Sequence, residues 1–171
     1  MSNHLVIYQG EIPQNTGNMM RTCMATGTQL HLIEPLGFKI DDKHLQRAGM
    51  DYIKQLNYRI YKDWNEFLEV NPEARENCYF LTRYGELPPS EFDFSDTSKT
   101  YYFVVGKEST GVDKEILKDH LDHCMRLPML ANARSLNVSN CAAIIIYEAL
   151  RQQNYASLSY VEVLKGGNVL K

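Results

Sequence analysis

The chain has 171 residues, a formal net charge of -3, 44% hydrophobic and 23% charged residues. That balance suits one soluble domain able to bury its own core, and it excludes a disordered or fibrous chain. It also argues against a constitutively basic nucleic-acid coat, since phosphate neutralisation needs an excess of cations. A local basic face stays open, because Lys39, Lys43, Arg47, Arg83, Lys107, Arg126 and Arg134 fall near the polar motifs described below.

No run approaches the roughly 20 apolar residues of a membrane span, and MSNHLVIYQG lacks a basic region followed by a long apolar core. A cytoplasmic protein is expected. Cys23, Cys78, Cys124 and Cys141 are scattered without a CxxC pair or a histidine at ligand spacing, so they read as buried thiols and no metal is expected.

In chain order, His4 to Tyr8 and Gln29 to Ile33 read as strands, and Thr16 to Thr26 between them as a helix stopped by Gly27. Asp42 to Gly49 predicts a short basic helix, Ile53 to Tyr61 an irregular strand, and Asp63 to Val70 a helix capped by its aspartate. Cys78 to Thr82 and Tyr101 to Val105 are further strands, separated by Leu87 to Lys99, which reads as a surface loop. Asp113 to Lys118 predicts a helix, Cys124 to Leu127 a last strand, and Asn137 to Gln153 a long terminal helix. The alternation indicates one α/β domain over residues 1–171 with a mostly parallel sheet, whose sites should lie beyond the carboxyl ends of the strands.

Four polar clusters begin where predicted strands stop: Glu11 to Arg21, Leu81 to Tyr84, Gly106 to Gly111, and Leu127 to Asn140. Four clusters on one edge imply one site. The first places Asn15, Gly17, Asn18 and Arg21 at a helix opening, where amides and a planar guanidinium suit an anion, though a plain cap with a solvated arginine fits as well. Neither a Walker loop nor GxGxxG occurs. The third, GKESTGV, is a glycine-flanked turn whose Glu108 could cap the next helix or pair with Arg21 or Arg134. The last runs Ser135, Asn137, Ser139 and Asn140 into the apolar block Cys141 to Ile146, more capping residues than one helix needs. The apolar block belongs inside the protein or in a subunit interface.

Three segments in this order, NTGNMMRT, VVGKESTGV and LPMLANARSLNVSNCAAIIIYEALRQ, resemble the signature motifs of the SpoU branch of the SPOUT RNA methyltransferases. The similarity runs from about His4 to Gln153, and VIYQGEIPQNTGN with LHLIEPLGFKIDDKHLQRAGMDY looks most like the small tRNA wobble-nucleotide 2'-O-methyltransferases. The resemblance implies an α/β sheet with helices on both faces and a deep trefoil knot over about residues 78–153. It implies methyl transfer from S-adenosylmethionine, leaving S-adenosylhomocysteine, to the ribose of the wobble nucleotide, a cytidine or modified uridine, in a tRNA anticodon loop. A knotted RNA-binding module without catalysis, or an enzyme acting on another RNA such as rRNA, is the alternative.

By position, the resemblance implicates Leu81, Thr82, Gly106, Glu108, Leu127, Pro128, Ser135, Asn137 and Asn140 in cofactor binding. Arg21 becomes the catalytic residue, oriented by Asn15 and Glu108. Because guanidinium groups stay charged in proteins, electrostatic stabilisation of a developing alkoxide is expected of Arg21 rather than proton removal. A homodimer through the first and last helices is implied as well, joining Lys43, Arg47, Arg126 and Arg134 of two chains into one basic groove for RNA.

Overall fold

The computed structural model describes residues 2–49, 54–165 and 170. Six strands, β1 (Ser2–Tyr8), β2 (Gln29–Ile33), β3 (Tyr58–Tyr61), β4 (Cys78–Leu81), β5 (Thr100–Val105) and β6 (Cys124–Met125), form one sheet in the order β3-β2-β1-β5-β4-β6. Every pairing is parallel. The expected strand at Ile53 to Tyr61 is shorter, beginning at Tyr58, and Ile53 lies outside the described residues.

Helices α1 (Pro13–Thr26), α2 (Lys43–Gly49), α3 (Trp64–Val70), α4 (Ala74–Asn77), α5 (Lys114–Lys118) and α6 (Val138–Gln152) complete the fold. Helix α1 starts three residues earlier than its apolar spacing predicts. Pro13 occupies its first turn, where a missing N–H costs nothing, and Gly27 closes the other end at φ 68°, donating its amide to the Cys23 carbonyl. Asn15 is therefore a buried residue inside the first turn and not a cap. Asp63 does cap α3, accepting from the Glu66 amide at 2.8 Å. The short helix α4 has no apolar period to announce it.

One face of the sheet packs Leu5, Ile7 and Phe103 against Met19, Met20 and Cys23 of α1 and Ala142, Ile145 and Ile146 of α6. The other packs Val6, Tyr102 and Val104 with Tyr61, Phe67 and Phe80. The segment Leu87 to Lys99 is not the plain surface loop its composition suggests. Phe94 is fully buried against Tyr79, Tyr101 and Phe103. Gln152 and Gln153 at the end of α6 bond to the backbone of Phe92 and Phe94, tying this loop under the terminal helix.

The exit of β6 runs between the two arms of the loop that follows β4. The Thr82 amide donates to the Met125 carbonyl, and the Arg126 amide donates to the Leu87 carbonyl, each at 2.9 Å. Gly85 sits where a Cβ would lie 2.3 Å from the Met125 carbonyl carbon, so no other residue fits this crossing.

Candidate active site

All strands end on one edge, and the chain diverges between β1 and β5, with β2 and β3 on one side and β4 and β6 on the other. Open parallel sheets bind ligands at such a switch point. A cavity of about 750 Å³ lies there. Its lining comes from all four polar clusters: Ile12 and Asn15 after β1, Leu81 to Tyr84 after β4, Val105 to Gly111 after β5, and Arg126, Leu127 and Arg134 to Val138 after β6.

The β1 and β5 loops are laced together. Glu108 accepts from the amides of Ile12 at 2.7 Å and Glu11 at 3.2 Å, while Glu11 accepts from the Ser109 amide at 2.9 Å and its hydroxyl at 2.8 Å. Lys107 reaches Gln9 at 3.0 Å, and Tyr8 donates to Asp113 at 2.7 Å. Burial pushes the Glu108 carboxyl above its ordinary range despite its amide donors, whereas the Ser109 amide and hydroxyl hold Glu11 below it. Gly106 lets the strand end press on the turn beyond it, since a Cβ would meet the Gly111 backbone at 2.3 Å. Gly111 itself needs φ 74°.

On the opposite side, Asn137 caps α6 by accepting from the Ser139 amide, the Ser139 hydroxyl and the Asn140 amide. Its own amide donates to Asn15 at 3.0 Å. The surplus of capping residues is thus explained: Asn137, Ser139 and Asn140 form one cap, and Asn137 also ties α6 to α1.

Of the residues implicated in cofactor binding, Leu81, Thr82, Gly106, Glu108, Leu127, Ser135 and Asn137 line the cavity, while Pro128 and Asn140 do not. Asn140 is engaged in the helix cap instead. Arg21 is exposed, shares an outer stripe of α1 with Gln14 and Asn18, and lies outside the lining. Neither Asn15 nor Glu108 hydrogen-bonds to it in the structure. The Asn15 carbonyl oxygen accepts from Asn137, Glu108 accepts from the Glu11 and Ile12 amides, and the Arg21 side chain makes no hydrogen bond or ion pair among the described residues. Nor does Glu108 cap α5, for the Asp113 position there has no side-chain cap. Arg126 and Arg134 line the cavity, whereas Lys43 and Arg47 are exposed on α2, which packs against α1. Arg83, Tyr84 and Lys114 also line it. The sequence places Arg83 on a candidate basic face and Arg83 with Tyr84 in the strand-end cluster Leu81 to Tyr84, but it assigns Lys114 no role.

Among the described residues, no group of three or more His, Cys, Asp or Glu could hold a metal ion, and no helix is long and apolar enough to cross a membrane.

An all-parallel α/β sheet with one large cavity at its switch point defines a ligand-binding α/β protein. The chain belongs to the SpoU rRNA Methylase family, whose model matches residues 2–147. A candidate tRNA (cytidine(34)-2'-O)-methyltransferase of Bacillus subtilis is 49% identical over 91% of this chain and 96% of its own length. The tRNA (cytidine(34)-2'-O)-methyltransferase of Methylovorus glucosotrophus is 42% identical over 89% of this chain and 96% of its own. A solved structure concerned with 2-OH methylation of C/U34 on tRNA superposes with a TM-score of 0.80 at 36% identity, covering 90% of this chain and 97% of the other.

Proposed function

We propose that this chain transfers a methyl group from S-adenosylmethionine to the ribose 2'-hydroxyl of the wobble nucleotide of tRNA. The observation that carries the reading is the cavity built by all four strand-end loops in a chain whose relatives are named for that reaction. A tRNA substrate places the work in the cytoplasm.

The cavity fits the methyl donor. Its size is that of a small-molecule site, and Leu81, Leu127, Leu136 and Val138 give an apolar slot for an adenine and for the methylene groups that flank the sulfonium. The pressed backbone at Gly106 offers main-chain groups to the base edge, where a side chain would not fit. Leu81, Thr82, Gly106, Leu127, Ser135 and Asn137 would hold the donor, which supplies an electrophilic sulfonium methyl when bound.

The rest falls to the protein's residues. Glu108 and Asn137 keep the β1, β5 and α6 sides of the cavity at a set distance, so that the hydroxyl meets the methyl in line; such positioning supplies much of the rate in a transfer of this kind. Arg21, on the outer face of α1, acts from the RNA side of the groove. It holds the target phosphate and stabilises negative charge on the attacking oxygen. Helices α1 and α6 lie side by side, and α6 exposes Ile144 and Tyr147 at 45% and 47%. An apolar stripe of that kind supports a homodimer through the first and last helices. Arg126 and Arg134, with Lys43 and Arg47, would then border one groove spanning two chains. The passage of Cys124 to Arg126 between Thr82 and Leu87 supports a chain threaded through its own loop, a trefoil knot over about residues 78–153.

The test is transfer of radiolabelled methyl groups from S-adenosylmethionine to unfractionated tRNA, followed by mass spectrometry of the nuclease fragments that carry the anticodon. The expected product is a 2'-O-methylated nucleotide at position 34; transfer to rRNA alone, or none, refutes the reading. Arg21→Ala should cut transfer about 100-fold or more, the scale of losing one charge-stabilising donor. Titration calorimetry with S-adenosylhomocysteine should leave that variant's affinity within about twofold of the parent, because Arg21 lies outside the cavity lining.

A further inference from the structure

The rim of the cavity carries a charge imbalance that composition hides. Arg83, Lys107, Lys114, Arg126 and Arg134 line it against a single carboxylate, Glu108, in a chain whose net charge is -3. Glu108 is already occupied by two amides, and Lys107 is paired with Asp113 at 3.9 Å. The other four cations have no carboxylate within ion-pair distance among the described residues.

Two of them converge on one aromatic ring. The Arg83 guanidinium lies 4.9 Å and the Lys114 ammonium 5.7 Å from the centre of the Tyr84 ring, and Arg83 donates to the Tyr84 hydroxyl at 2.8 Å. The hydrogen bond from Arg83 and both positive charges draw the phenol below its ordinary range. The ring is nevertheless 45% exposed. Its position is set from below: the Tyr84 amide donates to the Thr82 hydroxyl, the Gly85 amide to the Thr82 carbonyl, and Gly85 is wedged against Met125. Arg126, from the next strand end, donates to the Arg83 carbonyl at 3.4 Å. A ring can hold two cations by its π face, but the cations repel each other, and an anion between them removes that cost.

We propose that Arg83, Tyr84 and Lys114 form a clamp for a backbone phosphate of the RNA substrate beside the target nucleotide. The inference rests on the RNA-methylating function proposed above. A phosphate presents several acceptor oxygens to a guanidinium, an ammonium and a phenol at once, which fits this donor set. The clamp stands on the β4 and α5 side of the cavity, and Arg134 joins the same lining from the segment after β6, so cations from separate loops would meet the strand around the ribose that enters. Tyr84 has two tasks: it gathers the cations and offers its exposed edge to the nucleotide.

The measurement is fluorescence anisotropy of labelled unfractionated tRNA with the full chain, across about 50 to 200 mM monovalent salt, where each lost phosphate contact lowers the salt slope by about 1. The double variant Arg83→Gln, Lys114→Gln should bind roughly tenfold more weakly at about 150 mM salt, with a slope smaller by 1 to 2. Tyr84→Ala should weaken binding in the same direction, and Tyr84→Phe, which keeps the ring, by less than half as much. Affinity for S-adenosylhomocysteine should hold within twofold in all three. Unchanged tRNA affinity and slope in the double variant overturn the clamp. So does a matching fall in S-adenosylhomocysteine affinity, which would assign these groups to the cofactor. A parent chain that neither binds nor methylates tRNA removes the RNA reading itself, a different failure seen before any variant is made.

Discussion

The two walls of the cavity are built differently. On the β1 and β5 side, Glu108, Glu11, Ser109, Lys107 and Gln9 cross-link two loops through side chains that meet backbone amides. On the β6 side, Leu127 is buried at one end and Asn137 is tied to Asn15 at the other. Between them Pro128 to Ser135 makes a single hydrogen bond among the described residues, from the Ala133 amide to the Leu130 carbonyl. Leu130 is 79% exposed. A segment with few buried contacts and solvated backbone opens cheaply, while a cross-linked one opens only with the fold. The cavity therefore has one wall cross-linked in advance and one with few ties of its own, and a ligand is expected to order the second.

The largest effect should come from breaking the prebuilt wall at its closest packing. Gly106→Ala puts a Cβ 2.3 Å from the backbone of Gly111, where nothing flexible can yield. A loss of roughly 3 kcal/mol or more in urea unfolding is expected, at the upper end of overpacking costs. Weaker binding of S-adenosylhomocysteine should accompany it. A variant of parental stability would show that this loop is not rigid and would dissolve the contrast between the walls.

Next in size is the carboxylate that laces the loops. Glu108→Ala leaves the Glu11 and Ile12 amides without their acceptor, at a cost of about 2 kcal/mol for hydrogen bonds to a charged group. Methyl transfer should fall by about 10- to 100-fold as the β1 loop drifts. Acid tests the same contact with the sign worked through. Burial raises the Glu108 carboxyl above its ordinary 4.5. The folded chain thus binds this proton more readily than the unfolded one, so the group favours folding below pH 4.5 and costs stability as pH rises through its folded value. Activity should run the other way, falling as pH drops through that raised value, because a protonated carboxyl accepts poorly from two amides. Glu108→Gln should flatten this acid limb; a retained limb would assign it to another group.

Much of this was legible from residue order. The strands at Gln29 to Ile33 and Tyr101 to Val105, the Asp63 cap and the Gly27 stop all rest on local signals, and the structure has them within a residue or so. The convergence of four polar clusters was legible too, because a parallel sheet puts every strand end on one edge. What failed was pairing across distance. Nothing near Glu108 shows that it serves two amides almost a hundred positions away, and Asn15 reads as a cap until Asn137 is seen beside it. Phe94 hides in a segment whose prolines and acids signal a surface loop, because one buried aromatic among polar neighbours has no period. Arg83, Tyr84 and Lys114 come together only through β4 and α5, which the chain separates by a whole strand and its loop.

The smallest effect on stability should come from the second wall, and it separates the two most sharply. Leu130→Ser removes an exposed side chain from an untied segment, so the unfolding free energy from urea titration should change by no more than about 0.5 kcal/mol. Amide exchange then distinguishes the walls in the parent chain. Adding S-adenosylhomocysteine should slow exchange across residues 129–135 several-fold, because those amides have almost no partners to lose before the ligand comes. Over residues 106–111 the change should be small, since Gly111 already donates to the Lys107 carbonyl and Ser109 to Glu11. Equal protection of both stretches in the ligand-free protein would mean the β6 wall is held by packing rather than by hydrogen bonds. In that case Leu130→Ser should also lower the urea midpoint by more than its exposure allows, so the two measurements check each other.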